Sequence, residues 1–166
     1  MTYRVEPLGD HDLTNFACGN AELDDWLRRH ARTATGQGTR TYVLVDGGGS
    51  VIGYFALAPH LLVREDAPPR LARGAPSQIP AILLAKLALD SSVHGRGLGA
   101  DLLVHALDTT VAAARRAGGR VVLVDAIDDE ARAFYQHHDF QQLPGNARRL
   151  VMKLSTAAKA LGVPWP

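Results

Sequence analysis

The sequence predicts an α/β protein in which a mixed central sheet of about six or seven strands is flanked by helices. Apolar runs typical of buried strands, "AILLAKLALD" and "RVVLVDA", alternate with segments that have helical periodicity. Two further strand-like segments flank the turn sequence "GGGS", which is typical of an antiparallel hairpin. The resulting order, βα, ββ, β-turn-α, βα, β, favours helices packed on a mixed sheet.

The length and composition indicate one globular domain. A chain of 166 residues is long enough to bury its own core, so we expect a single domain over residues 1–166. The formal net charge of +1 gives no general argument for binding to nucleic acid or membranes. The single cysteine, Cys18, excludes an intrachain disulfide and a CxxC metal site. There is no apolar signal segment and no run of membrane-spanning length, so we expect a cytoplasmic protein that does not enter a membrane.

The first half of the chain contains a strand, a helix and a hairpin. "YRVEPL" (Tyr3–Leu8) predicts a short strand. Gly19–Ala34 carries apolar residues at helical spacing, with Asn20 as the N-cap. "RTYVLVD" and "VIGYFALA" predict the hairpin. Residues 64–80 are rich in proline and polar groups, which predicts a long surface excursion.

The second half contains the strand Ala81–Asp90, a glycine-rich turn and a long helix. One face of that helix is apolar, and glycines close it at Gly118 and Gly119. The apolar face consists of Leu102, Leu103, Ala106, Leu107, Val111 and Ala114. A strand, a short helix capped by Asp128 and a final strand, "ARRLVMKL", follow. The C-terminal "STAAKALGVPWP" is predicted to be a tail or an interface.

The glycine-rich turn predicts an anion site. Gly95, Gly97 and Gly99 lie where a strand gives way to a helix, and glycine lets a ligand approach the unpaired amides of a helix N-terminus. A Walker loop is excluded because Ala100-Asp101 follows instead of a Lys-Ser/Thr pair. The spacing G-x-G-x-G also differs from the dinucleotide fingerprint. A strand–helix turn that holds no ligand is the structural alternative.

The sequence "HGRGLG" resembles the pyrophosphate motif of the GCN5-related N-acetyltransferase (GNAT) family, Gln/Arg-x-x-Gly-x-Gly/Ala. It departs at the first position, where His94 stands. The resemblance implies the GNAT fold and acetyl-CoA as donor. It also implies that a splayed strand pairs with the pantetheine arm and that the turn cradles the pyrophosphate, through Leu87, Ala88, Leu89, His94, Gly95, Arg96, Gly97, Leu98, Gly99 and Ala100.

"DDEARAFYQHHDF" is similar to a later motif of the same family, although Asp139 replaces the usual glycine. This likeness assigns Asp128, Phe134 and Tyr135 to the cofactor. It also implies that Tyr135 is the general acid that protonates the departing sulfur, while the amide of Leu89 stabilises the oxyanion. The alternative for Tyr135 is a core aromatic residue. No carboxylate stands out as a base, and an α-amine has a pKa of only about 7.7–8.0, so we expect deprotonation through water.

The blocks "FACG" and "LDDWL", with the basic helix after them, resemble the acetyltransferase toxins of bacterial toxin–antitoxin modules. The resemblance implies acetylation of the free α-amine of aminoacyl-tRNA, a ribbon-helix-helix antitoxin and a homodimer. Acetylation of a small amine or protein N-terminus, and a non-catalytic acetyl-CoA-binding module, are the alternatives. By analogy the RNA phosphates would be bound by arginines, namely Arg28, Arg29, Arg32, Arg73, Arg148 and Arg149. No spacing indicates a metal site, and Cys18 is expected to be a buried thiol.

Overall fold

The computed structural model of the protein describes residues 2–166 and contains a mixed sheet of seven strands. The strand order is β1-β2-β3-β4-β5-β7-β6. This confirms the predicted α/β class and the predicted number of strands. The strands are β1 (Arg4–Pro7), β2 (Arg40–Val45), β3 (Val51–Val63), β4 (Gln78–Leu89), β5 (Val121–Asp125), β6 (Gln141–Leu143) and β7 (Asn146–Lys153).

Six α-helices are present in the described residues, together with three short segments of other helical types. A π-helical turn, Trp26–His30, joins the first two α-helices, and 3-10 turns cover Arg64–Asp66 and Ser91–Val93. Between residues 2 and 166, no helix has both the length and the apolar character needed to cross a membrane. The α-helices are α1 (Ala21–Asp25), α2 (Ala31–Thr35), α3 (Pro69–Ala72), α4 (Leu98–Ala117), α5 (Asp129–His137) and α6 (Leu154–Leu161).

The sheet combines antiparallel and parallel pairs. Strands β1, β2 and β3 pair antiparallel, as the predicted hairpin requires. β4 and β5 are parallel, and their pairing runs from Ala81 opposite Val121 to Leu84 opposite Val124. β4 then continues to Leu89, beyond the last residue that pairs with β5. The strand therefore has a terminal stretch that β5 does not cover.

The chain divides into two compact units, and the first contains the described residues up to Ala58 together with Ala85–Ala106. Its core packs the first helical segment on the hairpin strands. Asn20 caps α1 as predicted, because its side chain accepts a hydrogen bond from the Leu23 amide at 3.0 Å. The hydroxyl of Tyr54 donates to the Leu23 carbonyl at 2.7 Å, and Trp26 stacks on the Tyr54 ring. These contacts fix the first helical segment.

The second unit contains Pro59–Leu84 and Leu107–Pro166. Its core includes side chains from the stretch that the sequence predicted to be a surface excursion, residues 64–80. Ala67, Leu71 and Ala75 are buried there, and β4 begins at Gln78. The prediction of a plain surface excursion is wrong in this respect, because the proline-rich composition concealed apolar side chains that pack on the sheet.

Three elements of the second unit, α3, β6 and α6, have no counterpart in the sequence prediction. β6 has only three residues, which is too short for a period of two to be visible. α6 occupies part of the predicted tail or interface, but its N-cap, Lys153, makes no side-chain capping bond that the sequence would signal. The predicted apolar face of α4, in contrast, is buried throughout.

Candidate active site

The glycine-rich turn has the backbone conformation that an anion site requires. Gly95 and Gly97 have φ angles of 77° and 76°, which L side chains rarely adopt. A Cβ atom built on either residue would meet nothing within 4 Å. The glycines are therefore needed for the backbone conformation, and the space in front of them is open. Arg96 between them is exposed.

The long helix α4 starts directly after this turn. Leu98 is its first residue and is buried, which anchors the helix, while Gly99 and Ala100 lie in its first turn and are half-buried. The first amides of a helix have no partner within the helix, and its macrodipole is positive at this end. Open glycine backbone followed by a helix of 20 residues fits an extended anion such as a pyrophosphate.

The side chain of His94 binds the end of β4. Its Nε2 atom lies 2.8 Å from the carbonyl oxygen of Leu89. The ring N–H therefore donates a hydrogen bond to that carbonyl. This contact occupies the side chain at the position where the family motif has Gln or Arg, and it joins the glycine-rich turn to the strand end. Leu87 and Leu89 are half-buried, while Ala88 belongs to the core of the first unit.

Two residues that the sequence argument missed also fix this strand end. Asp90 accepts hydrogen bonds from the Ala17 and Ser92 amides at 2.9 and 3.1 Å. Burial would raise the pKa of Asp90, but the hydrogen bonds from Ser92 and Ala17 outweigh it and hold the pKa below its usual value. Gly53 of β3 approaches closely, since a Cβ there would lie 3.0 Å from Leu89 Cδ2. An aspartate after a strand and a glycine within one were the available signals.

Tyr135 lies on α5 in the second unit and is buried, with 7% of its surface exposed. Its ring makes edge contacts with Phe134 and Phe140. Its hydroxyl has no hydrogen-bond partner among residues 2–166. Burial raises the pKa of this hydroxyl above its ordinary value near 10, so it is protonated at neutral pH.

The remaining predicted residues of α5 have contacts within the protein. Asp128 is the N-cap of α5, and its carboxylate accepts from the Ala131 amide at 2.8 Å. Its predicted contact with the cofactor stays a prediction. Phe134 is half-buried and touches His138 as well as Tyr135. After the helix, Asp139 adopts a φ of 71°, which explains why the family motif has glycine there.

The six predicted RNA-contacting arginines differ in how far they are already engaged. Arg28 donates to the Phe16 carbonyl, and Arg32 donates to the carbonyls of Gly9 and His11. Both side chains thus fasten the helical segment to the N-terminal stretch. Among residues 2–166, Arg29 makes one long ion pair of 3.8 Å, with Asp25, and it is largely exposed.

The other three arginines lie in the second unit. Arg149 forms two hydrogen bonds with Asp125, at 2.7 and 2.8 Å, and a third contact of 3.0 Å with His60 Nε2. Its guanidinium group is therefore held in place by protein. Arg148 pairs with Asp129 at 3.1 Å and remains half-exposed. Arg73 is exposed and has no ion pair in residues 2–166.

Cys18 is buried, as expected, and its Sγ donates weakly to the Asn20 carbonyl at 3.5 Å. Desolvation raises the pKa of this thiol to about 11. At neutral pH the thiol is therefore protonated, and a protonated thiol is a poor nucleophile for taking the acetyl group from acetyl-CoA. Within residues 2–166, no group of three or more His, Cys, Asp or Glu side chains has an arrangement that could hold a metal ion.

Comparisons with known proteins identify the family. The profile of the acetyltransferase (GNAT) domain matches residues 37–142. A tRNA-acetylating toxin of Mycobacterium tuberculosis is 40% identical over 151 residues, which cover 91% of each chain. The protein belongs to the GNAT family of acetyltransferases. The predicted family, fold and acetyl-CoA-dependent N-acetyltransferase class are therefore confirmed.

Two solved structures have the same fold over nearly their full lengths. AtaT complexed with acetyl-methionyl-tRNAfMet has a TM-score of 0.87 and 28% identity, and the match covers 96% of this chain and 99% of that one. A tyrosine-to-phenylalanine mutant of the toxin AtaT, bound to the C-terminus of the antitoxin AtaR and acetyl-CoA, has a TM-score of 0.82 and 26% identity. That match covers 98% of this chain and 99% of the other.

Proposed function

We propose that the protein is a toxin that transfers the acetyl group of acetyl-CoA to the α-amine of aminoacyl-tRNA and so blocks translation. The observation that supports aminoacyl-tRNA as the acceptor is the similarity to a tRNA-acetylating toxin over 91% of both chains. The donor is supported independently, by the open, left-handed turn at Gly95 and Gly97 in front of α4. Residues 1–166 would act as one acetyltransferase domain, in the cytoplasm, where charged tRNA is found.

The donor is proposed to be held by backbone groups. The amides from Gly95 to Ala100 would face the pyrophosphate, with Arg96 adding positive charge, and the end of β4 at Leu87–Leu89 would pair with the pantetheine arm. Acetyl-CoA supplies an activated acyl group on sulfur. The residues present fit it, because the amides at the start of α4 have no helical partners and the glycines leave open space.

The chemistry then needs two groups from this chain. The carbonyl oxygen gains negative charge when the amine attacks, and the Leu89 amide is proposed to donate a hydrogen bond to it. His94 would help to position the strand end, because it binds the Leu89 carbonyl, which belongs to the next peptide unit. Tyr135 would donate its proton to the departing sulfur, a role supported by its hydroxyl, which is protonated and makes no hydrogen bond within residues 2–166. The amine would lose its proton to water.

RNA phosphates are proposed to meet the arginines whose guanidinium groups are least engaged, Arg29, Arg73 and Arg148. Arg28, Arg32 and Arg149 would instead position the segments that carry them, since their hydrogen bonds are within the protein. We expect charge reversal at the first group to weaken tRNA binding and its salt dependence, with acetyl-CoA affinity unchanged.

The protein partners are proposed to be a ribbon-helix-helix antitoxin and a second copy of the chain. The antitoxin is supported by the AtaR-bound relative. Light scattering of the purified protein tests the homodimer, and a short ribbon-helix-helix reading frame beside the gene would support that antitoxin type.

The experiment that tests the function supplies labelled acetyl-CoA with total charged tRNA, a polyamine or a peptide. We expect label in the charged tRNA and none in deacylated tRNA. Efficient labelling of the polyamine or peptide without labelled tRNA would overturn the proposal.

A further inference from the structure

A basic cavity lies in the second unit, where α4 ends and β5 begins. Its volume is about 440 Å³. Buried apolar residues, Leu71, Ala114 and Val121, contribute to its lining. Val121 is the first residue of β5, whereas the Asp125–Arg149 pair lies at the other end of that strand. The cavity is thus at the opposite end of β5 from the Asp125–Arg149 pair.

Three cationic side chains also line this basic cavity, those of Arg115, Arg120 and Lys153. All three residues are exposed, and none forms an ion pair within residues 2–166. No acidic side chain is among the lining residues, and the carboxylate of Pro166, which also lines the cavity, forms no ion pair with these cations within residues 2–166. Three unpaired cations around one concave space repel each other, and an anion placed between them would relieve that repulsion.

Two further features of the lining favour a ligand that is larger than a simple anion. Ser155 contributes a hydroxyl from the first turn of α6, a helix of eight residues with no acidic residue in that turn. The positive end of the helix dipole therefore adds to the cations. Trp165 is half-buried and offers an aromatic surface in the same cavity. An aromatic surface beside a phosphate site is the combination that nucleotide binding uses.

Favourable interaction with the helix dipole is a simpler reason for cations in this region. Arg115 and Arg116 both lie in the last turn of α4, where positive charge is stabilising. Only Arg115 lines the basic cavity, however. Arg120 and Lys153 lie outside the helix, so its dipole does not account for them. The pair Arg115 and Arg116 thus provides a matched comparison for the cavity.

We propose that the basic cavity binds a nucleoside phosphate, with the phosphate between Arg115, Arg120 and Lys153 and the base against Trp165. The nucleoside phosphate has two sources, a nucleotide unit of the tRNA acceptor or a free nucleotide. The tRNA source rests on the proposed function, whereas the free nucleotide does not.

The experiment measures binding by the full chain with acetyl-CoA at saturation, so that the donor site is filled. The probes are deacylated total tRNA and AMP. The variants are Arg115→Ala/Arg120→Ala and Trp165→Ala, with Arg116→Ala as control. The arginines are exposed and unpaired, so we expect the double variant to fold, and a thermal melt checks this.

We expect the double variant and Trp165→Ala each to weaken binding of at least one probe by fivefold or more. The slope of log affinity against log salt concentration should fall by about 0.7 for each lost contact with single-stranded phosphate. Arg116→Ala should bind as the wild type does. If these variants lose affinity for tRNA but not for AMP, the site binds RNA. If they lose affinity for AMP alone, the site binds a free nucleotide.

Unchanged binding of both probes in the double variant would overturn the proposal. So would a loss in the Arg116→Ala control equal to that in the double variant, since general charge would then explain the effect. These results are separate from the test of acetylation. A wild-type protein that binds AMP here but does not acetylate charged tRNA would contradict the proposed function alone.

Discussion

The glycine-rich turn and the end of α5 use the same left-handed backbone for different purposes. Gly95 and Gly97, with φ near 77°, face open space at the start of a long helix. Asp139, with φ 71°, turns the chain so that the Phe140 amide reaches the Tyr135 carbonyl at 3.1 Å. In the first region backbone amides are the proposed binding surface, and in the second the backbone positions one side chain. We therefore expect a ligand at the left-handed glycines, which a helix N-terminus and open space accompany, and none at Asp139.

The largest effect on acetyl transfer is expected from a change in one side chain, that of Tyr135. Tyr135→Phe keeps the ring contacts with Phe134 and Phe140 but removes the proton donor. Acetyl transfer to charged tRNA should fall by about 10²–10⁴-fold, the usual contribution of a general acid. Acetyl-CoA affinity, measured by calorimetry, should stay within twofold. Wild-type transfer by this variant would contradict the assigned acid.

A smaller effect is expected at the backbone site. Gly97→Ala forces an L residue into a left-handed conformation at a cost of about 1–2 kcal/mol and moves the proposed cradle. Acetyl-CoA affinity should fall by about tenfold or more. The matched control is Gly145→Ala, because Gly145 has a φ of 78° and equally open surroundings outside the turn. That variant should lose stability but not acetyl-CoA affinity. Equal losses of affinity would remove the distinction between the two kinds of left-handed residue.

The pH dependence of transfer should reflect the substrate amine and not the acid. Burial raises the pKa of Tyr135 above 10, so its proton is present at lower pH and is lost only above that range. The neutral fraction of the amine, in contrast, rises with pH up to about 8. Initial rates should therefore increase with pH, then level off, with no decline before pH ~9.5. A descending limb at pH 8–9 in stable protein would show that a different acid donates.

The smallest effect is expected at Asp139. Asp139→Gly relieves backbone strain but increases the freedom of the unfolded chain by a similar amount, about 0.4–1 kcal/mol. The free energy of unfolding in urea should change by less than about 0.5 kcal/mol. Asp139→Val should destabilise by more than about 1 kcal/mol, because a β-branched residue is least tolerant of positive φ. Strong destabilisation by glycine would show that the Asp139 side chain itself matters.

The sequence predicted those features that depend on local backbone or periodicity. The apolar face of α4, the caps at Asn20 and Asp128 and the hairpin all follow from spacing that short-range physics enforces. The glycine-rich turn belongs to the same class. Its open space and left-handed backbone agree with the argument for an anion site, although the ligand contacts remain predictions.

Features that depend on distant residues were not predictable in this way. The contact of His94 with Leu89 and the clamp of Asp90 on Ala17 depend on the folded path of the chain. The engagement of Arg32 and Arg149 by protein groups likewise has no local signature. The basic cavity combines residues from α4, β7, α6 and the C-terminal stretch, so no local sequence motif predicts it. The burial of side chains within residues 64–80 was not predicted, because that stretch is rich in proline and polar residues.

The central claim is transfer of acetyl to an α-amine on charged tRNA, and the position of the acetyl group tests it most directly. Charged tRNA would be treated with the enzyme and labelled acetyl-CoA, and mild base would then release the amino acid for mass spectrometry. We predict labelled Nα-acetyl amino acid, with no label left on the RNA. Label that stays on the nucleotides, or lies on a side chain with a free α-amine, would contradict it.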